Sequence, residues 1–281
     1  MNDGPAQLRR ILTGAAMVRA PGVFDGLSAH LARRAGFDAV YLTGAGIAAS
    51  TFGLPDVGLT TATEMVSAAE RIVEAARLPV IADADTGYGN ALNVTRTVRA
   101  YERAGVAAVQ LEDQTFPKRC GHLSEKEVID VDEFLRKLDA ALRARVADTV
   151  VIARTDAGGP LGIDAAIERA GIYAANGADL VFIEAPRSRR EIERVSAEVP
   201  GPLVFNVVPS GRTPVMSDAE LEKLGFRLAI YPAALLIPVA RTIAEELWQM
   251  GGAPPTSIDG PADLFSAVGL DDWAALDDAV R

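Results

Sequence analysis

Eight short apolar runs punctuate the chain, and each ends on polar residues. They are GVFD (22–25), AVYLTG (39–44), PVIADAD (79–85), AAVQLED (107–113), TVVIARTD (149–156), DLVFIEA (179–185), PLVFNV (202–207) and RLAIYP (227–232). The runs are near-continuous rather than alternating, as expected of parallel strands covered on both faces. Between them lie longer segments such as NVTRTVRAYERAG and GIDAAIERAGIYAANG, with apolar residues three and four apart and a closing glycine. That is the pattern of a helix and its C-terminal cap. Eight such units in 281 residues predict an α/β chain folded as a (β/α)8 TIM-type barrel, a fold of about 250 residues. A doubly wound open sheet is the rival. The polar endings favour the barrel, because Asp25, Thr43, Asp83, Asp85, Glu112, Arg154, Glu184, Asn206 and Tyr231 would then gather on one rim. The C-terminal rim is where barrel enzymes keep their chemistry.

The barrel is expected over residues 1–250, and a helical arm over 251–281, after MGGAPPTS (250–257), packs on it or on a neighbouring subunit. LRRILTGAAMVRAPG (8–22) reads as a first amphipathic helix; Gly14 and Arg19 interrupt it too early for a signal peptide. No run approaches the ~20 apolar residues that span a bilayer, so no membrane partner is expected. A net charge of −10 disfavours nucleic acid, whose phosphates are held by clustered Lys and Arg. The single cysteine excludes an intrachain disulfide and fits a reducing, cytoplasmic setting.

Several rim residues carry chemistry. Asp83 and Asp85 in IADADTGYGN, with Asp56 of GLPDVGLT and Glu112, would converge if the glycines 87 and 89 bend the chain. Two carboxylates about 5 Å apart repel by roughly 3 kcal/mol at an effective dielectric of 20, so four require a cation. Oxygen-only donors suit Mg2+, with Mn2+ as the substitute. Cys120 lies in FPKRCGHLSEKE, a polar segment that reads as an exposed loop beyond a strand end. There a thiol acts as nucleophile or general acid, its pKa lowered by Lys118 and Arg119 and raised by nearby acids. Arg154 suits a substrate carboxylate or a developing oxyanion, or else a salt bridge to Glu184 or Asp156. GAGIAA (44–49) matches a dinucleotide fingerprint, but the following TTATEMVSAAERI is helical where that motif needs a strand ending in an acid. Its glycines instead offer backbone N–H groups to a carboxylate.

In order along the chain, YLTGAG, GLPDVGLTT, DADTGYGN, LEDQ, PKRCGH, ARTDA, FIEA and AIYP resemble the isocitrate lyase/phosphoenolpyruvate mutase superfamily. The branch is that of 2-methylisocitrate lyase, 2,3-dimethylmalate lyase and carboxyphosphonoenolpyruvate mutase. The resemblance implies a homotetramer, a dimer of dimers, whose C-terminal helices swap between subunits. It implies Mg2+ on Asp83 and Asp85, with Asp56 and Glu112 in its water shell. Thr43, Gly44 and Ala45 would bind the carboxylate of the 2-oxo acid, and Gly121, His122, Glu184 and Asn206 would line the substrate pocket. Arg154 would hold the cleaved fragment, Cys120 would be the general acid, and Tyr41 is the candidate base.

The expected reaction is cleavage of a small 2-hydroxy carboxylic acid to a 2-oxo acid and a second carboxylate. One departure narrows it. Lyases for tricarboxylates carry an arginine shortly after the YP of the last strand; here Ile237 stands at the aligned place, with Arg241 a helical turn further on. FNVVPSGRTP also differs from the NITEFG type of methylisocitrate cleavage. A substituted malate is therefore expected, with 2-methylisocitrate lyase, carboxyphosphonoenolpyruvate phosphonomutase and oxaloacetate decarboxylase or hydrolase as alternatives.

Overall fold

The computed structural model describes residues 3–121, 126–208 and 210–280. Helix α1 (Gly4–Leu12) precedes eight parallel strands. These are β1 (Val18–Val23), β2 (Val40–Leu42), β3 (Val80–Asp83), β4 (Ala108–Glu112), β5 (Val150–Thr155), β6 (Leu180–Ile183), β7 (Leu203–Asn206) and β8 (Leu228–Tyr231). The connections carry α2 (Gly26–Arg34), α3 (Gly44–Ile47, running into a π turn over Ala48–Phe52), α4 (Ala62–Ala76) and α5 (Ala91–Ala104). They continue with α6 (Val131–Ala144), α7 (Ile163–Ala175), α8 (Arg189–Glu198) and α9 (Asp218–Lys223). Helix α10 (Leu236–Gln249) follows β8, and α11 (Pro261–Ala267) and α12 (Leu270–Val280) form the arm. Each strand pairs with its sequence neighbours and β1 pairs with β8, which closes the (β/α)8 barrel.

The strand parity builds two cores. Tyr41, Ile81, Ala108, Ile152, Phe182, Val204 and Ile230 fill the interior, and Leu8 of α1 plugs its lower mouth. The alternate set, including Leu42, Ala82, Val109, Val151, Val181 and Phe205, packs against the helices. Successive strand side chains face opposite sides, so the interior parity carried upward brings Asp83, Glu112, Arg154, Glu184 and Asn206 to the C-terminal mouth. No helix among the described residues is long and apolar enough to cross a membrane.

The first strand differs from the sequence expectation. Helix α1 ends at Leu12 instead of continuing through the arginine and proline, and Val18–Pro21 pair with Leu228–Tyr231. Asp25, one of the polar strand endings, serves as a helix cap: its carboxylate accepts from Ser28 N at 2.7 Å. Gly22 is fixed by packing, since a Cβ there would stand 2.6 Å from Pro232 Cα in the neighbouring turn. Backbone cannot yield as a flexible side chain would. Gly22→Ala should therefore destabilise the fold by about 2 kcal/mol or more, read as a lowered urea midpoint at unchanged slope.

Candidate active site

The mouth of the barrel gathers the acids named from sequence. Asp56, Asp83, Asp85 and Glu112 are all buried. Asp83 Oδ2 accepts from Gly44 N at 3.3 Å, and Asp85 N donates to Asp83 Oδ1 at 3.2 Å. Gly44 is needed for this approach: a Cβ there would lie 2.9 Å from Asp83 Oδ2. Asp85 sits in the left-handed region at φ 47°, which turns its carboxylate back toward the cluster. Lys118 enters this group from the cysteine loop. Its Nζ is 2.5 Å from Asp56 Oδ1 and 2.9 Å from Asp85 Oδ1. Burial alone would lower the Lys118 pKa, but Asp56, Asp85, Glu112 and Asp83 outweigh it and hold the ammonium charged.

Arg154 faces the acids across the cavity. Its guanidinium makes two hydrogen bonds to Asp156, at 2.8 and 3.1 Å, and lies 3.3 Å from Glu112 and 3.2 Å from Glu184. It also stacks 5.3 Å over the Phe182 ring. Asn206 donates to Glu184 at 3.2 Å, which fixes the amide at the cavity wall. Tyr41 accepts from Gln110 at 3.0 Å beneath the acids. Burial, and then the charge of Asp83, raise the Tyr41 pKa well above its usual value. Its hydroxyl therefore holds its proton at neutral pH in the chain without a cation.

The cysteine segment is folded inward rather than exposed. Cys120 is 9% exposed, lines the cavity and donates its backbone N–H to Asp56 O at 3.0 Å. Two contacts draw it in: Lys118 is pulled to the acids, and Gln114 bonds both the N–H and the carbonyl of Arg119, at 3.0 and 2.8 Å. Arg119 itself points toward Asp277 of α12. Thr43, Ala45, Asp56, Asp83, Cys120, Gly121, Arg154, Glu184 and Asn206 all line one cavity with Tyr41. The Thr43 hydroxyl accepts from Gly46 N as the cap of α3, and Gly44 spends its N–H on Asp83. His122 lies outside the described residues.

Ile237 is displaced from its expected place: it is buried in the outer core, and its neighbour Leu236 reaches the cavity. One residue of helix rotates a side chain by about 100°, enough to exchange the two. Arg241 turns to the arm, donating to Ile258 O at 2.9 Å and Asp259 Oδ1 at 3.1 Å. Sequence reasoning missed that Pro261, Leu264 and Phe265 of α11 complete the cavity wall. It also missed the inward turn of Lys118; a lysine two residues before the thiol, facing four acids, was the available signal.

A hard divalent cation fits this donor set. Burial leaves Glu112 Oε1 without a hydrogen bond among the described residues, and Asp85 Oδ1 meets a cation only in Lys118, at 2.9 Å. Burial also raises Glu112 well above the carboxylate range and lifts Asp85 from 3.8 to about 6, partly offset by Lys118. The cluster is thus short of positive charge. Oxygen donors of this kind suit an ion that keeps waters and takes few carboxylates directly. Asp83 and Asp85 would hold it.

The family model described as phosphoenolpyruvate phosphomutase matches residues 8–250. The chain belongs to this family. It is 51% identical over 244 residues to 2,3-dimethylmalate lyase of Eubacterium barkeri, covering 86% of this chain and 84% of that protein. It is 40% identical over 278 residues to 2-methylisocitrate lyase of Halalkalibacterium halodurans, covering 96% and 91%. Oxaloacetate acetylhydrolase in complex with 3,3-difluorooxalacetate matches with a TM-score of 0.86 at 38% identity, over 99% of this chain and 97% of that one. Phosphonopyruvate hydrolase in complex with oxalate and Mg2+ matches with a TM-score of 0.77 at 28% identity, over 97% of each chain. The protein is accordingly an enzyme, a carbon–carbon lyase of the isocitrate lyase/phosphoenolpyruvate mutase superfamily.

The raised Asp85 pKa gives a signed expectation for this family member without metal. Between 3.8 and about 6 the folded chain holds a proton that the unfolded chain has lost, so stability falls as pH rises through that window. A shift of this size is worth roughly 3 kcal/mol. Asp85→Asn tolerates the left-handed backbone and removes the charge. In EDTA it should melt higher than the wild type at pH 7.5, with the gap shrinking at pH 4.5.

Proposed function

We propose that the protein is a Mg2+-dependent lyase that breaks the C2–C3 bond of a 2-hydroxy dicarboxylate of the substituted-malate type. Cys120 serves as its general acid. The composition of the cavity wall carries the choice of substrate. Among the described lining residues the cations are Lys118 and Arg154, and Ile230, Pro232, Leu236, Leu264 and Phe265 form an apolar wall. Lys118 sits between Asp56 and Asp85, whereas the contacts of Arg154 to Asp156, Glu112 and Glu184 run through Nε and Nη2, so its Nη1 would meet a carboxylate on the departing fragment. A third carboxylate would meet hydrocarbon, an uncompensated burial costing several kcal/mol. A methyl group would instead gain about 0.8 kcal/mol. Arg241 is engaged with the arm and cannot serve a third carboxylate from its present position. The similarity to 2,3-dimethylmalate lyase agrees with this reading.

A divalent cation bound at Asp83 and Asp85 would supply positive charge to the oxygens of the 2-hydroxyl and its adjacent carboxylate. The chain does the remainder. The backbone around Thr43–Ala45 faces the 2-oxo acid carboxylate, and the hydroxyl proton passes to a carboxylate of the rim cluster as the C2–C3 bond breaks and C2 becomes a carbonyl. The bond's electrons pass to the departing fragment as an aci-carboxylate, whose oxygens Arg154 stabilises. The Cys120 thiol then protonates C3, leaving a thiolate to be reprotonated from solvent. Burial of Cys120 and Arg154 keeps water from quenching the carbanion.

An NMR product assay with Mg2+ tests the proposal. 2,3-Dimethylmalate should give pyruvate and propionate, while 2-methylisocitrate, isocitrate and oxaloacetate remain. Asp83→Ala should abolish turnover, and Cys120→Ser should lower kcat about 10²–10⁴-fold with little change in KM. Cleavage of 2-methylisocitrate at a comparable rate would refute the apolar-wall argument.

A further inference from the structure

Lys126 stands where the barrel plan needs no charge. It is 7% exposed, and its ammonium donates to Gly121 O at 2.8 Å and to Asp156 Oδ1 at 2.7 Å. A buried lysine is costly unless it is paired and hydrogen-bonded, so the groups it joins define its use. Gly121 directly follows Cys120 and is pressed against the cavity: a Cβ there would lie 2.5 Å from Arg154 Nη2 and 2.6 Å from Glu184 Cδ. Asp156 is fully buried, and Arg154 grips its carboxylate from the other side.

Asp156 is itself anchored. Its backbone N–H donates to Asp113 Oδ1 at 2.8 Å, while Asp113 Oδ2 accepts from Thr155, Tyr173 and Arg169 at 2.7, 2.8 and 3.1 Å. A carboxylate fixed to the rim of β4 and β5 thus shares its charge between two cations. One is the guanidinium in the cavity; the other is the ammonium holding the carbonyl next to the thiol. Arg154 and its neighbours hold the Asp156 carboxyl well below its usual range against the effect of burial. The pair of ionic links therefore persists at neutral pH.

We propose that Lys126 is a positioning residue: braced on Asp156, it fixes the backbone at Gly121 and so sets the Cys120 thiol relative to the fragment held by Arg154. Only the kinetic readout rests on the lyase reading above; the geometry can be read without substrate. The chain has a single cysteine, so iodoacetamide labelling followed by mass reports Cys120 alone.

In the full-length, Mg2+-loaded protein, Lys126→Met should speed alkylation about tenfold or more, as loss of a charge-assisted hydrogen bond implies. It should lower kcat about 10²-fold, the scale of an ångström's misplacement, with KM nearly unchanged. Lys126→Arg should restore much of both. If the methionine variant folds poorly, Lys126→Gln keeps one N–H donor and should show intermediate labelling. Wild-type alkylation in Lys126→Met or Lys126→Gln overturns the proposal, as does faster alkylation with wild-type kcat. Faster alkylation when even the wild type turns over none of the substrates supports the brace and counts against the lyase reading instead.

Discussion

The charge imbalance at the mouth of the barrel governs this structure. Asp56, Asp83, Asp85, Glu112, Asp156 and Glu184 are buried there against Lys118, Lys126 and Arg154. Carboxylates at such separations repel strongly in a low-dielectric site, and three cations cannot neutralise six acids. The protein resolves the deficit unevenly. Asp156 receives two cations and stays ionised, whereas Glu112 and Asp85 are driven toward protonation by burial. The side of the cavity left short of positive charge is the side with the donor set for a divalent ion. The opposite side holds Arg154, the one guanidinium among the described lining residues. That polarity sets where each end of a dicarboxylate would lie.

The same imbalance shapes the cysteine segment. A run reading PKRCG has the composition of a solvated loop, and charge rather than hydrophobicity buries it. Lys118 goes in because Asp56 and Asp85 require an ammonium, and Cys120 follows because it is two residues away and bonded to Asp56 O. Lys126 secures the carbonyl beyond the thiol from the Asp156 side. The segment thus has an ionic anchor on each side of Cys120.

Most of the barrel was legible because a period of two and a period of 3.6 leave separate marks on the chain. The polar strand ends Asp83, Arg154, Glu184 and Asn206 line the cavity, with Glu112 buried beside Arg154, because they continue the inward parity of Ile81, Ile152, Phe182, Val204 and Ala108. What the sequence obscured depended on contacts remote along the chain. The sequence hides the start of β1 because its Val18–Pro21 half is defined by pairing with β8, about two hundred residues away. Leu236 and Ile237 differ by a single step of helix rotation, which alignment of letters does not resolve. The arm gave no hint that Leu264 and Phe265 close the cavity, since a short amphipathic helix reads alike wherever it docks. Tyr41 is legible as a cavity residue by strand parity; burial and the charge of Asp83 raise its pKa in the chain without a cation.

In the proposed reaction, carbon–carbon cleavage ends in proton delivery by a fixed thiol inside a closed cavity. Running the cleavage of 2,3-dimethylmalate in D2O and analysing the chirality of the propionate tests this most directly. A single deuterium at C2, in one configuration, is the predicted result, and Cys120→Ser should erase that stereochemical preference along with most of the rate. Propionate deuterated without stereochemical preference by the wild type would contradict the account, because the carbanion would then be protonated by solvent rather than by Cys120.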